Sequence, residues 1–155
     1  MQQIPVNSIL ASVELSAWRG LLRAHSAVVH ELDTELRTLH DLSLHEYEVL
    51  LTLAEAPDGK LRMTELAAAV LLSQSGLTRL VDRLADAGSI ERARCEDDRR
   101  GLNATLTRSG RKRLAEARAT HRVGVRARFL DHFDEAELRA LAGFWERVLP
   151  GATAE

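Results

Sequence analysis

The chain has 155 residues, enough for one domain with a buried core and short for two. Its formal net charge of −2 gives no sign of nucleic-acid binding, and its single cysteine excludes an intramolecular disulfide and a cysteine-based zinc site. The sequence has no apolar run of roughly 18 residues and no signal-peptide pattern at its start. We therefore expect a cytoplasmic protein that does not contact a membrane.

The first periodic segment, residues 7–40, repeats apolar residues at helical spacing. It is longer than most globular helices, which indicates a partner beyond the local core. Ser43 followed three residues later by Glu46 is a capping box, so it predicts the start of a second helix. The turn at residues 57–59, Pro-Asp-Gly, predicts where that helix ends.

The next segment predicts two short helices about one turn apart. An extended stretch over residues 61–63 is followed by Thr64, which we interpret as the cap of a third helix. Ser73 is predicted to cap a fourth helix, and Gly88 is predicted to be the C′ residue after it. This pattern favours a helix-turn-helix.

From Ser89 the pattern alternates between apolar and charged residues on both sides of a polar tip at residues 96–101, which predicts a β-hairpin over residues 90–106. We call this hairpin the wing. Thr107 then caps a long basic helix toward Leu130, and Asp134 with Glu137 caps a last helix that ends near Leu149. The fold class expected is α+β, mostly α, with long terminal helices.

The fourth helix is amphipathic. Its apolar face carries Leu77, Leu80, Val81 and Leu84 at spacings of three and four. Hydroxyl groups and an arginine on the other face can donate to base edges in a major groove. For an isolated helix the alternative is an ordinary solvated face, made here of Ser75, Thr78, Arg79, Asp82 and Asp86.

The wing and the helix after it are locally basic, with eight basic residues against three acidic ones between residues 92 and 113. A local excess of positive charge in a chain of net negative charge is typical of a surface that faces phosphate. Arginines at the tip can enter a narrow minor groove, and Asp98 is expected to hold one of them in position. The basic residues are Arg92, Arg94, Arg99, Arg100, Arg108, Arg111, Lys112 and Arg113.

Several motifs in the predicted helix-turn-helix and in the wing together resemble the MarR (multiple antibiotic resistance regulator) family. They are Glu65-Leu66-Ala67, Ser73, residues 78–84 (Thr-Arg-Leu-Val-Asp-Arg-Leu), Gly88, the Asp98-Arg99-Arg100 tip and Leu106-Thr107. The resemblance covers nearly the whole chain. It departs from the family at Leu71, often glycine there, and at Ser89, usually apolar.

The resemblance implies a single winged-helix domain, residues 1–155, with a DNA-binding lobe at 42–107 and dimerisation helices at 7–40 and 108–149. It also implies a homodimer that binds double-stranded DNA, with fourth helices in major grooves and wings in minor grooves. Many members repress an operon until a small aromatic or phenolic ligand binds. The DNA-binding residues predicted are Ser73, Gln74, Ser75, Thr78, Arg79, Arg83, Arg94, Asp98, Arg99 and Arg100.

The sequence also suggests an effector site on the first helix. Trp18, Arg19 and His25 could line a pocket for an aromatic acid, with the arginine binding its carboxylate. The alternative is a core tryptophan and an arginine in a surface ion pair. No cofactor or metal ligand set is predicted, and Cys95 is interpreted as a small apolar residue of the wing rather than a redox sensor.

An enzyme and a protein-binding module are the two alternative classes of function. The sequence has no Gly-rich phosphate loop and no nucleophile motif, so we expect no enzyme and no catalytic residue. A winged helix that binds only other proteins would not need arginines at the wing tip. The dimer prediction depends on the C-terminal segment, where four of the six aromatic residues lie, although these residues could instead close a monomeric core.

Overall fold

The computed structural model describes residues 11–70, 73–94 and 101–151. The α-helices are α1 (Ser12–His40), α2 (Leu44–Glu55), α3 (Met63–Ala69), α4 (Gln74–Asp86), α5 (Arg108–Arg128) and α6 (Glu135–Val148). The strands are β1 (Lys60–Arg62), β2 (Ile90–Arg94) and β3 (Leu102–Leu106), and short 3-10 helices cover Pro57–Gly59 and Leu130–His132.

Four helices begin directly after the capping residues that the sequence predicts. The Ser43 hydroxyl accepts from the backbone N–H of Glu46, and the hydroxyls of Ser73 and Thr107 accept from the backbone N–H three residues on. Asp134 and Glu137 form a complete capping box. Each cap satisfies a backbone donor that the first turn of a helix leaves unpaired.

The predicted start of the third helix was wrong. The helix begins at Met63 rather than after Thr64, with Arg62 in the N-cap position. The reason is the carboxylate of Glu65, which accepts from the backbone N–H of Arg62 at 3.1 Å and so fixes the first turn earlier. The strand before it is correspondingly Lys60–Arg62, one residue earlier than predicted.

The three strands form one antiparallel sheet in the order β1-β3-β2. The hairpin prediction is confirmed, with Arg92 opposite Ala104 and Arg94 opposite Leu102. The predicted extended segment before α3 adds β1 to the other side of β3, with Leu61 opposite Ala104. The wing is thereby attached to the segment that enters the helix-turn-helix.

The core lies where α2, α3, α4 and the sheet meet the C-terminal half of α1. Its fully buried members include Leu36, Leu50, Leu53, Leu66, Leu77 and Leu84. The described part of the chain is mostly helical with one small sheet, which confirms the fold class expected. None of the described helices is both long enough and apolar enough to cross a membrane.

The C-terminal part of α1 packs closely against α5. At Gly124 an added Cβ would lie 2.7 Å from Cδ2 of Leu32, so glycine allows this approach. An ion pair of 2.9 Å joins Glu35 to Arg128, and Nε2 of His40 lies 2.7 Å from the hydroxyl of Thr120. The two long helices therefore form one unit with the core of the winged helix.

Candidate nucleic-acid interface

Helix α4 buries its apolar face and presents its polar face outward. Leu77, Val81 and Leu84 are each 1% exposed or less. Ser75, Thr78 and Arg79 are all exposed on the opposite side. This orientation follows from spacings of three and four, which place the leucines on one stripe toward the core. The predicted reading face is therefore the outer face of α4.

The N-terminus of α4 is capped by Ser73, whose hydroxyl accepts from the Gly76 N–H at 3.2 Å and lies 3.3 Å from the Ser75 hydroxyl. A capped helix N-terminus with nearby hydroxyls suits an approach to phosphate, because the dipole there favours negative charge. Gln74 belongs to the helix, but its side chain lies outside the described part of the structure.

Helix α4 ends in a Schellman motif that turns the chain into the wing. Gly88 has a positive φ of 70°, which favours glycine, and its N–H donates to the Ala85 carbonyl at 2.9 Å. The Ser89 N–H donates to the Leu84 carbonyl at 2.8 Å. Strand β2 starts one residue later, so the direction of the wing is fixed by the end of α4.

The described part of the wing carries Arg92 and Arg94 on β2, both exposed. An ion pair of 2.5 Å joins Arg92 to Asp82 on α4. Arg94 is the last residue of β2 before the tip. The predicted tip contacts Asp98, Arg99 and Arg100, and also Cys95, lie outside the described residues.

Arg83 has a partner that the sequence did not reveal. Its Nε donates to Oε1 of Glu46 at 2.9 Å, although the arginine side chain stays 56% exposed and the glutamate side chain is only 10% exposed. Burial raises the pKa of the Glu46 carboxyl, but hydrogen bonds from the Ser43 N–H and hydroxyl, together with Arg83, outweigh it and hold the pKa below its ordinary value. Glu46 is therefore both a helix cap and the anchor of α4.

Not every member of the basic cluster faces outward. Arg113 is turned toward the protein, where it donates to the carbonyl oxygens of His40 and Asp41 and to the Ser89 hydroxyl. Lys112 remains exposed, 4.0 Å from Glu116. The interpretation of the whole cluster as a phosphate-facing surface was too broad, because Arg113 binds groups within the chain. Arg92 is exposed and also pairs with Asp82.

The structure does not bring the predicted effector trio together. His25 lines an apolar groove of about 470 Å³, whereas Trp18 and Arg19 are exposed and are not among its lining residues. The opposite wall of the groove is apolar and is lined by Phe129, Phe133, Leu141 and Trp145. From the sequence, the aromatic residues of this segment were assigned only to a dimer contact. Within the described ranges no three His, Cys, Asp or Glu side chains are grouped as a metal site would require.

A two-helix unit, α3 and α4, followed by an antiparallel hairpin is the arrangement of a winged helix-turn-helix DNA-binding protein. The comparison with known sequences agrees. A model of the MarR family matches residues 40–101. The HTH-type transcriptional repressor YetL of Bacillus subtilis is 29% identical over 110 residues, which cover 69% of this chain and 66% of the repressor.

Solved structures extend the match to nearly the whole chain. AbsC, a MarR family transcriptional regulator from Streptomyces coelicolor, is 31% identical with a TM-score of 0.86, and the match covers 92% of this chain and 95% of that one. Sco3205, a MarR family transcriptional regulator of the same organism solved in complex with DNA, is 29% identical with a TM-score of 0.89, covering 97% and 94%. The chain belongs to the MarR family and is a DNA-binding transcriptional regulator.

Proposed function

We propose that the protein is a homodimeric repressor that binds a palindromic operator and is regulated by a small aromatic or phenolic effector. The observation that carries the proposal is the outward face of α4, where Ser75, Thr78 and Arg79 are exposed beside a wing fixed to the same helix. We assign base contacts to this face and phosphate or minor-groove contacts to Arg94, Arg99 and Arg100. Arg83 would contact DNA only with the part of its side chain that Glu46 leaves exposed.

The dimer is supported by exposed apolar side chains at the two ends of the chain. On α1 they include Val13 and Trp18, which are 76% and 53% exposed, and on α6 they include Phe144 and Val148, at 49% and 76%. Apolar surface of this kind is typical of an interface between subunits. Two copies would also present two α4 helices to half-sites about 34 to 36 Å apart.

The proposed effector site is the apolar groove. The groove between α1, the flanking residues Phe129 and Phe133 of the second 3-10 helix, and α6 has apolar walls, with His25 as a polar residue on its lining. An aromatic ring would bury its faces there and could meet the imidazole with a polar substituent. Repression is supported by the relative YetL, which is a transcriptional repressor. We place the protein in the cytoplasm, with its operator.

The first experiment is selection of duplexes from a random pool by the full-length protein, followed by a mobility-shift titration over a range of salt concentrations. A DNA-binding dimer selects inverted repeats, and the logarithm of its affinity falls linearly with the logarithm of salt concentration. Failure to retain any duplex at low salt would favour the alternative, a winged helix that contacts only proteins.

The orientation of α4 is tested on the selected duplex. Ser75→Ala and Thr78→Ala should change which bases are preferred, since these hydroxyls are assigned to base edges. Lys112→Ala should weaken binding to all duplexes alike and reduce the salt slope by about one. If the two kinds of variant shift affinity equally on every duplex, α4 is oriented differently in the complex.

A further inference from the structure

Ser89 is a buried polar residue at the foot of the wing. It is 1% exposed. A buried hydroxyl costs stability unless it has a hydrogen-bond partner. Its partner is Nη1 of Arg113 on α5, at 3.4 Å. The buried hydroxyl therefore has a specific partner on α5.

The same guanidinium also binds the end of α1. Nη2 of Arg113 donates to the carbonyl oxygen of His40 at 3.3 Å and to that of Asp41. Asp41 has a positive φ of 49° and ends the helix. The last carbonyls of a helix have no intrahelical partner and carry partial negative charge, so a guanidinium is well suited to satisfy them.

The exit of α4 is attached to the start of α5 by further contacts. The Thr107 hydroxyl donates to the Gly88 carbonyl at 2.7 Å, and the Thr107 N–H donates to the Ser89 carbonyl at 3.1 Å. A Cβ added at Gly110 would lie only 2.1 Å from the Ser89 carbonyl oxygen. The start of α5 is therefore packed against the junction between α4 and β2. Arg113 connects this packed unit to α1.

We propose that Arg113 is a positioning residue, which acts through its contacts with Ser89 and the end of α1. It sets the angle between the dimerisation helices and the DNA-binding surface formed by α4 and the wing. The inference rests on the proposed homodimer, in which α1 contributes to the subunit contact. In such a dimer this angle fixes the distance and rotation between the two α4 helices. Arg113 then determines which half-site spacing the dimer accepts, without contacting DNA itself.

The test compares duplexes that differ only in spacing. The wild-type protein is titrated against its selected duplex, against the same duplex with one base pair inserted or removed between the half-sites, and against unrelated DNA. One base pair rotates a half-site by about 35°. We expect Arg113→Met to weaken binding to the selected duplex about tenfold, which is the cost of losing one good base contact. It should also reduce the preference of the protein for the selected duplex over the two spacing variants. Binding to unrelated DNA should change less than about twofold, because no phosphate contact is removed.

Ser89→Ala removes one contact of the guanidinium and only one oxygen atom, so it covers the case in which Arg113→Met does not fold. It should reduce the spacing preference in the same direction. Arg118→Met, an exposed arginine of the same helix, is the matched control and should retain it. An equal loss of affinity on every duplex, or an unchanged spacing preference in both Ser89→Ala and a folded Arg113→Met, would overturn the inference. If the wild type selected no duplex, the proposed function itself would be wrong, and this inference with it.

Discussion

Nε of Arg83 donates a hydrogen bond of 2.9 Å to Oε1 of Glu46, so the recognition helix α4 is held against the capping box that starts α2. The two residues are 37 positions apart in the chain. The same carboxylate group accepts from the N–H and the hydroxyl of Ser43 through Oε2. One buried glutamate thus satisfies a helix start and fixes the orientation of a second helix.

Glu46→Gln should lower the free energy of unfolding by about 1 to 2 kcal/mol at neutral pH, since it weakens hydrogen bonds to a charged acceptor. It should also change the pH dependence. The pKa of Glu46 is lowered from 4.5 in the folded protein, so its charge stabilises the fold above pH 4.5, and this stability is lost as pH falls from 4.5 through the folded-state pKa. Urea unfolding at several pH values measures both effects.

Asp33 also contributes to the pH dependence of stability in the acidic range. Burial raises its pKa, but hydrogen bonds from the Arg37 side chain and the Leu44 N–H bring it below its ordinary value. The variant Glu46→Gln should therefore keep a reduced pH slope, and the double variant with Asp33→Asn should lose more of it. A wild-type slope in both variants below pH 4.5 would contradict the assignment.

Asp82→Asn should leave stability within about 0.5 kcal/mol, because its ion pair with Arg92 is partly exposed on both sides. It should strengthen DNA binding severalfold and raise the salt slope by about one, since it removes a negative charge and releases Arg92 toward phosphate. Asp86→Asn, one turn further along α4, removes the same charge without an ion pair to Arg92. Weaker binding by Asp82→Asn would show that the pair positions the wing.

Gly110→Ala should destabilise the protein by about 1 to 3 kcal/mol, because the added methyl group would overlap the Ser89 backbone carbonyl. Gly143→Ala is the matched control. An added Cβ at Gly143 meets nothing within 4 Å, so alanine in that helix should stabilise by about 0.5 to 1 kcal/mol. Thermal unfolding followed by circular dichroism compares them, and equal effects would contradict the close approach of α5 to the wing.

Arg100→Ala should weaken binding to the selected duplex by more than about tenfold while leaving the fold intact, because an arginine that the sequence predicts at a hairpin tip contributes little to stability and much to a groove contact. Arg99→Ala should have a smaller effect. Mobility shifts measure affinity, and circular dichroism verifies folding. Unchanged affinity in a folded Arg100→Ala protein would remove the wing tip from the interface.

Removal of residues after Asp134 should give a protein that is insoluble and cannot bind a palindromic duplex, because it deletes the α6 half of the proposed subunit contact. A finer variant is Phe144→Glu, which should shift the full-length protein from dimer to monomer in light scattering. Leu102→Glu, an exposed leucine of the wing, should remain dimeric. A monomeric wild type at micromolar concentration would refute the dimer.

Features that depend on neighbouring residues could be predicted from the sequence. The caps at Ser43, Ser73 and Thr107 and the glycine after α4 are chosen by hydrogen bonds or dihedral angles within a few residues. The start of α3 was missed because two local caps competed, and Glu65 bonding back to Arg62 prevailed over Thr64.

Contacts between distant parts of the chain could not be predicted. Arg113 and Asp41 are 72 positions apart, and nothing in local spacing indicates that this arginine of a basic run points inward. The residues that line the groove between α1 and α6 could not be predicted for the same reason. His25 lies on α1, but the facing wall comes from α6 and the segment before it, so the predicted neighbours Trp18 and Arg19 lie elsewhere.

The sheet has two outer strands, β1 and β2, with β3 between them. Both outer strands carry exposed charged side chains, Lys60 and Arg62 on one and Glu91, Arg92 and Arg94 on the other. Charged residues along an open strand edge disfavour pairing with a strand of another molecule. Pairing of these strand edges between molecules would therefore be disfavoured, so the wings of a concentrated population of molecules would stay accessible to DNA.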